Sequence, residues 1–182
     1  MSPAGCIVLA VGWLVWFLPF PLTGWSSKTP NRKDNRARWG LVLECLAYAL
    51  VGLGEFWTSS PSAWRIVCAV VSLSLACLLS WTATRALGRH LRFDAALTAD
   101  HQLVRFGPYR VVRHPIYTSM LCLLWGTGFL ITPIPLFLAA TAIFICGTEV
   151  RVRIEDGLLA SRFGAEFQEY RRSVPAYVPF VR

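Results

Sequence analysis

Two short runs of this sequence hold residue types that can do chemistry. The first, GPYRVVRHPIYTS at residues 107–119, sets Tyr109, Arg110, Arg113, His114 and Tyr117 around two prolines. Pro115 suits the first turn of a helix, where a missing N–H costs nothing. A helix that starts at His114 or Pro115 presents N–H groups and a partial positive charge. Such an end holds carboxylate or phosphate. Arg113 and His114 add to that preference for anions, and Tyr109 and Tyr117 add flat faces and hydroxyls. The set suits a ligand with an aromatic ring and an acid group. In the second run Arg151 and Glu155 stand one helical turn apart. Arg151 can hold an anion and Glu155 a cation. Spacing leaves plainer readings open for both runs. Arginines and tyrosines at a helix end also anchor in lipid headgroups, and Arg151 with Glu155 also suits a local i,i+4 ion pair. Glu44 and Glu55 lie eleven residues apart on one face of an apolar segment. An acid there is either functional or near enough to the end of its span to reach water.

These residues sit among segments that read as membrane helices. The chain has 182 residues, 55% hydrophobic and only 15% charged, yet its formal net charge is +8. Soluble domains carry about 25% charged residues, and a nucleic-acid surface needs its basic residues along a solvated face. The composition therefore points to a bilayer protein whose cations lie at the headgroups, and no nucleic-acid partner is expected. Five spans are expected, at about 4–20, 39–57, 64–86, 116–131 and 134–147. The last two are short for a bilayer core of about 30 Å and read as a tight helical hairpin turned at Thr132-Pro133-Ile134-Pro135. Seventeen of the eighteen Lys and Arg residues fall between spans one and two, at or between the ends of three and four, or after five; only Arg65 lies elsewhere. Five spans put those three regions on one side. By the positive-inside rule this side is cytoplasmic and the N-terminus is outside. Residues 1–25 lack the basic n-region and cleavage site of a signal peptide, so a retained helix is expected. The six cysteines all fall in apolar segments without a C-x-x-C pair and read as small buried hydrophobes.

By composition the chain divides into residues 1–86, three membrane helices giving access to an acceptor, and residues 87–182, which hold a polar connector (87–115), the hairpin and a cytoplasmic tail (149–182). Leu159, Phe163, Phe167 and Tyr170 follow helical spacing and predict one apolar helix face in the tail. Pro175 and Pro179 favour an extended finish. No G-x-G-x-x-G follows a strand, and Gly126-Thr127-Gly128 reads as close helix packing. His90, His101 and His114 lack metal-ligand spacing, so no metal is expected. A Ser119–His114 nucleophile lacks an orienting partner.

Taken together, HQLV (101–104), GPYR (107–110), RHPIY (113–117) and R-x-x-x-E-D-x-x-L…FG…Y (151–170) resemble the isoprenylcysteine carboxyl methyltransferase family and, more broadly, related membrane phospholipid methyltransferases. The resemblance covers residues 87–180. It implies an all-α integral membrane enzyme that uses S-adenosyl-L-methionine and leaves S-adenosyl-L-homocysteine. By the same resemblance His101, Gln102, Leu103, Val104, Tyr109, His114, Pro115, Ile116, Tyr117 and Glu155 bind the cofactor, and Arg151 binds the methyl acceptor. Two positions depart from the family pattern: Ser119 stands where glycine is common, and Asp156 where a second glutamate is usual. Asp156 is assigned no role.

Residue chemistry and resemblance agree on a zwitterionic methyl donor, its carboxylate at the helix start and its ammonium on Glu155, with Leu103, Val104 and Ile116 along the adenine. The expected acceptor is lipophilic or membrane-borne and enters from the bilayer. A carboxylate acceptor is ionised at neutral pH and needs no base, whereas an amine must lose a proton first. Alternatives from the same resemblance are a phospholipid amine N-methyltransferase and a membrane NADPH-dependent reductase of the sterol type.

Overall fold

The computed structural model describes residues 3–23, 32–54, 60–88, 96–97 and 102–179. His101, Glu55 and His90 lie outside them. In chain order the elements are α1 (Pro3–Phe17), α2 (Pro19–Thr23), β1 (Arg32–Lys33), α3 (Ala37–Gly52), α4 (Ala63–Leu87), β2 (Ala96–Leu97), a 3₁₀ turn (Gly107–Arg110), α5 (Pro115–Ile131), α6 (Ile134–Phe163) and α7 (Ala165–Ser173). Among the described residues the regular elements are helical apart from β1 and β2, which pair antiparallel over two residues, Arg32 opposite Leu97 and Lys33 opposite Ala96.

Among the described residues three segments are long and apolar enough to cross a bilayer and mark the chain as an integral membrane protein: 19 residues over Gly5–Thr23, 25 over Ala63–Leu87 and 30 over Ile134–Phe163. The shorter Pro115–Ile131 is also apolar. Ile7, Leu14, Val67, Val71, Leu78 and Leu138 are exposed on these helices. In water such a belt is a liability, but in lipid it is the solvated surface. At 1.5 Å per residue α6 is about 45 Å long, so it outruns the hydrocarbon core and carries its last turns into the headgroup region.

The expected fifth helix, 134–147, thus corresponds to only the first half of α6. No proline interrupts residues 148–163, and the helix tolerates Gly147 and Gly157 before it stops at Gly164, whose φ is +54°. A left-handed residue ends a helix, and glycine adopts it without the Cβ clash. The same break overturns the expected single tail face. Leu159 and Phe163 belong to α6, and only Phe167 and Tyr170, on α7, are buried.

The α5–α6 connection has the expected two-proline turn, but the two helices are not each other's main partners. α5 packs chiefly on α4, and α6 on α3. Glycines set both pairings. A Cβ on Gly126 would stand 2.6 Å from Leu73 Cγ of α4, and one on Gly147 would stand 2.7 Å from the Gly40 carbonyl oxygen of α3. Close approach at small residues is how helices pack without a hydrophobic drive between them. Between the pairs lies a core of Ala47, Val51, Ala69, Leu73, Ala76, Leu121, Leu123, Leu124, Ala140 and Phe144. At the far end Arg65 donates to the carbonyls of Phe129 (2.7 Å), Gly128 (3.1 Å) and Thr132, closing the C-terminus of α5 just before Pro133. A cation at the open carbonyls of a helix end satisfies both hydrogen bonding and the dipole. This accounts for the one basic residue outside the three basic regions.

Candidate functional site

The start of α5 is built by its sequence. Pro115 is the first helical residue and His114 the cap, at φ −125° and ψ 63°. Arg113, His114 and Tyr117 are thereby gathered at the head of α5, and α6 passes beside them with Thr148, Arg151, Val152, Glu155 and Asp156 on its inward face. Asp34, Arg36, Trp39, Val150, Arg153, Ile154, Gly157 and Leu158 line a separate cleft of about 590 Å³ on the opposite side of α6.

His114 is buried and stands between two acids. Its Nε2 lies 2.9 Å from Asp156 Oδ1, and its Nδ1 lies 3.4 Å from Glu155 Oε2. Burial pulls the imidazole towards its neutral form. The hydrogen bonds and charges of Asp156 and Glu155 outweigh that and raise its pKa to about 9. His114 is therefore an imidazolium at neutral pH, donating from both nitrogens. The Tyr117 hydroxyl donates to Glu155 Oε1. Arg151 places its guanidinium 4.9 Å from the centre of the Tyr117 ring, and its Nη1 donates to Glu44 Oε2 at 2.8 Å. Arg113 Nη2 donates to Asp156 Oδ2 at 2.8 Å. Arg113, His114 and Arg151 thus form one connected array with the carboxylates Glu44, Glu155 and Asp156, and the exposed Arg171 joins it at 3.9 Å from Asp156 Oδ2. A buried array of this kind is poor evidence for stability, because desolvation consumes most of the Coulombic gain.

The tail closes over the array. Arg113 N–H donates to the Pro175 carbonyl (2.9 Å) and His114 N–H to that of Ala176 (2.8 Å). Thr118 Oγ1 donates to the Tyr177 carbonyl at 2.7 Å, and Arg113 Nη1 reaches the Val174 carbonyl. Pro175 helps make this stretch extended, so its carbonyls point outward and can accept. The N–H groups of Arg113 and His114, at the approach to α5, are thus taken by the protein's own chain. Arg113 Nε, by contrast, is buried without a hydrogen-bond partner among the described residues.

Of the residues singled out in the sequence, His114, Tyr117, Glu155 and Arg151 come together, with Pro115 buried beneath them and Ile116 half-buried beside them. Tyr109 is buried under α7, where its carbonyl accepts from the Tyr170 hydroxyl at 2.6 Å. Gln102 is exposed, and Leu103 and Val104 are half-buried in an extended stretch before Gly107. Arg151 and Glu155 are each engaged across to another element, Arg151 to Glu44 of α3 and Glu155 to Tyr117 of α5. Ser119 is integrated into the packing, donating to the Ile116 carbonyl (2.6 Å) and accepting from Trp16 Nε1 of α1 (3.1 Å).

Two members of the array were given no part by the motifs. Asp156 joins Arg113 to His114, although its side chain is one methylene shorter than the glutamate usual there. Glu44 is 1% exposed and does not reach water. A signal for Glu44 was present: Gly40 and Glu44 share the four-residue spacing of Gly147 and Arg151. The two helices run antiparallel, so each glycine lies against the charged residue of the other helix, Gly40 against the stem of Arg151 and Gly147 against the Glu44 backbone, and the two side chains meet across the contact.

Comparison with known proteins bears on this same region. A family model described as "Phospholipid methyltransferase" matches residues 64–166, from α4 to the start of α7. Protein-S-isoprenylcysteine O-methyltransferase B of Arabidopsis thaliana is 33% identical over 112 residues, 52% of this chain and 55% of that protein. Methanethiol S-methyltransferase of Crocosphaera subtropica is 32% identical over 73 residues, 40% of this chain and 28% of that protein. A probable protein-S-isoprenylcysteine O-methyltransferase of Oryza sativa subsp. indica is 28% identical over 142 residues, 77% of this chain and 72% of that protein. The chain spans about half the length of the first of these relatives and less of the second. With more than half of the chain inside the match, and His114, Tyr117, Arg151 and Glu155 all within it, this protein belongs to the phospholipid methyltransferase family.

Proposed function

We propose that this protein is an integral membrane methyltransferase that uses S-adenosylmethionine and methylates a lipophilic or membrane-borne acceptor. The observation that carries this reading is the array at the head of α5, where Glu155 joins Tyr117 and His114 and lies near the Arg151 guanidinium. Bound there, S-adenosylmethionine supplies an electrophilic methyl group on a sulfonium and leaves as S-adenosylhomocysteine.

The residues present fit that group. The Glu155 side chain keeps 24% exposure and offers a carboxylate to an ammonium. Arg113 Nε is a buried N–H donor without a partner among the described residues, suited to a carboxylate. Tyr117 gives a flat face beside them, and Leu103, Val104 and Ile116 are available to an adenine. Tyr109, His101 and Gln102 complete the set by resemblance, and Pro115 fixes where the helix begins. Orientation is the chief catalytic task in a displacement at carbon. The tail strap over Arg113 and His114 keeps water from an electrophile. Arg151, on the bilayer side of Glu155, orients the acceptor. A carboxylate or another acidic group needs no base there, and the array holds none to spare: its one imidazole is already an imidazolium.

The reading includes the membrane arrangement. Five spans place the N-terminus outside and the array on the cytoplasmic side, with residues 1–86 forming the acceptor's approach and residues 87–182 the cofactor region.

Calorimetry on detergent-purified protein tests the cofactor, with S-adenosylhomocysteine expected to bind and NADPH not. A labelled methyl donor offered with a prenylated cysteine analogue, methanethiol and phosphatidylethanolamine vesicles then identifies the acceptor class. Binding of NADPH alone would overturn the methyltransferase reading in favour of a reductase.

A further inference from the structure

Glu44 lies on α3, outside the matched residues 64–166. It is nevertheless the acid that meets Arg151. Its Oε2 accepts from Arg151 Nη1 at 2.8 Å, and its Oε1 accepts from Thr148 Oγ1, one turn earlier on α6, at 3.1 Å. Both carboxylate oxygens are therefore held by α6.

The backbone leaves little freedom around this contact. A Cβ on Gly40 would stand 2.5 Å from the Gly147 carbonyl oxygen and 2.5 Å from Arg151 Cγ, so the stem of Arg151 runs along the bare face of α3. Its guanidinium carbon then comes to 4.9 Å from the Tyr117 ring centre, and the Tyr117 hydroxyl continues to Glu155. An arginine carries several rotatable bonds and loses rotamer freedom when it is held. Here Gly40 holds the stem, Glu44 one end of the fork and Tyr117 its flank.

We propose that Glu44 is a positioning residue for Arg151. Its carboxylate holds the guanidinium in one pose against Tyr117, so that the acceptor's polar end meets a fixed donor beside Glu155. Glu44 does not itself touch the acceptor or the reacting atoms. The proposal rests on the reading above, in which Arg151 faces the methyl acceptor. It places a determinant of acceptor binding on a helix that the family motifs leave blank.

The test separates the acceptor from the cofactor. In Glu44→Gln the carbonyl still accepts one hydrogen bond but the charge is gone. The KM for whichever probe takes label (prenylated cysteine analogue, methanethiol or phosphatidylethanolamine vesicles) is expected to rise about tenfold or more, while the affinity for S-adenosylhomocysteine stays within about threefold. In Glu44→Asp the charge is kept but its reach is shortened, and a KM rise of about three- to fivefold is expected. A merely structural contact would lower the thermal midpoint and weaken both ligands together, or leave KM unmoved. Either result in a folded variant overturns the proposal while methyl transfer by the unaltered protein stands. If Glu44→Gln does not yield folded protein, Glu44→Asp decides alone, an unchanged acceptor KM being the adverse result. Failure of the unaltered protein to transfer methyl to any of the three probes would overturn both readings at once.

Discussion

His114 is held charged by two acids in a place that by burial alone would favour its neutral form. Its folded pKa, about 9, lies above the ordinary 6.5. The bound proton therefore stabilises the fold fully below pH 6.5, and that contribution is lost as pH rises through 9. By linkage it is on the order of 3 kcal/mol. The thermal midpoint in detergent is expected to fall between about pH 6.5 and pH 9, and His114→Gln, whose amide cannot titrate, to flatten that slope. Glu155 and Tyr117 are tested on the ligand. Glu155→Gln removes a charge-assisted partner, so affinity for S-adenosylhomocysteine should fall roughly 10- to 100-fold. Tyr117→Phe, which keeps the ring beside Arg151, should lose less, about three- to tenfold. Calorimetry reads both, and unchanged affinity in Glu155→Gln would remove that residue from the cofactor site.

At the scale of the helices, glycine has opposite meanings at different positions of the same packing. Gly40 is where α3 touches the Gly147 carbonyl of α6, and an added Cβ has backbone to meet. Gly40→Ala should therefore destabilise by about 1–3 kcal/mol, because neither backbone can yield without shifting Arg151. Gly157, on the exposed face of α6, has nothing within 4 Å of an added Cβ. Gly157→Ala should stabilise by up to about 1 kcal/mol through helix propensity. Thermal midpoints in one detergent compare the two, and the same sign for both would refute this account of α3–α6 packing. The start and stop of α5 and the start of α6 were legible in the sequence, at Pro115, Pro133 and Pro135. The extent of α6 was not. Apolarity ends near Gly147, whereas the helical backbone ends at Gly164, and only the backbone sets where Arg151, Glu155 and Asp156 point.

For the whole molecule, the exposed belt and the basic residues make separate statements about the bilayer. Cys45 on α3 and Cys146 on α6 are exposed in the chain by itself. With lipid around the helices, a membrane-impermeant maleimide should label neither from either side. Arg172→Cys, on the exposed face of α7, should be labelled in inside-out vesicles and protected in right-side-out ones. The reverse pattern would invert the proposed orientation. Hydrophobic length, charge asymmetry and the order of short motifs are local properties. From them the sequence by itself determined a helical membrane protein, a methyltransferase resemblance and the grouping of His114 with Tyr117. The pairing of α3 with α6 and α5 with α4, the engagement of Glu44 and Asp156, and the capture of the Arg113 and His114 N–H groups by the tail depend on tertiary contacts. Each is a contact between residues far apart in the chain, and local spacing does not say which helix or strand will lie opposite.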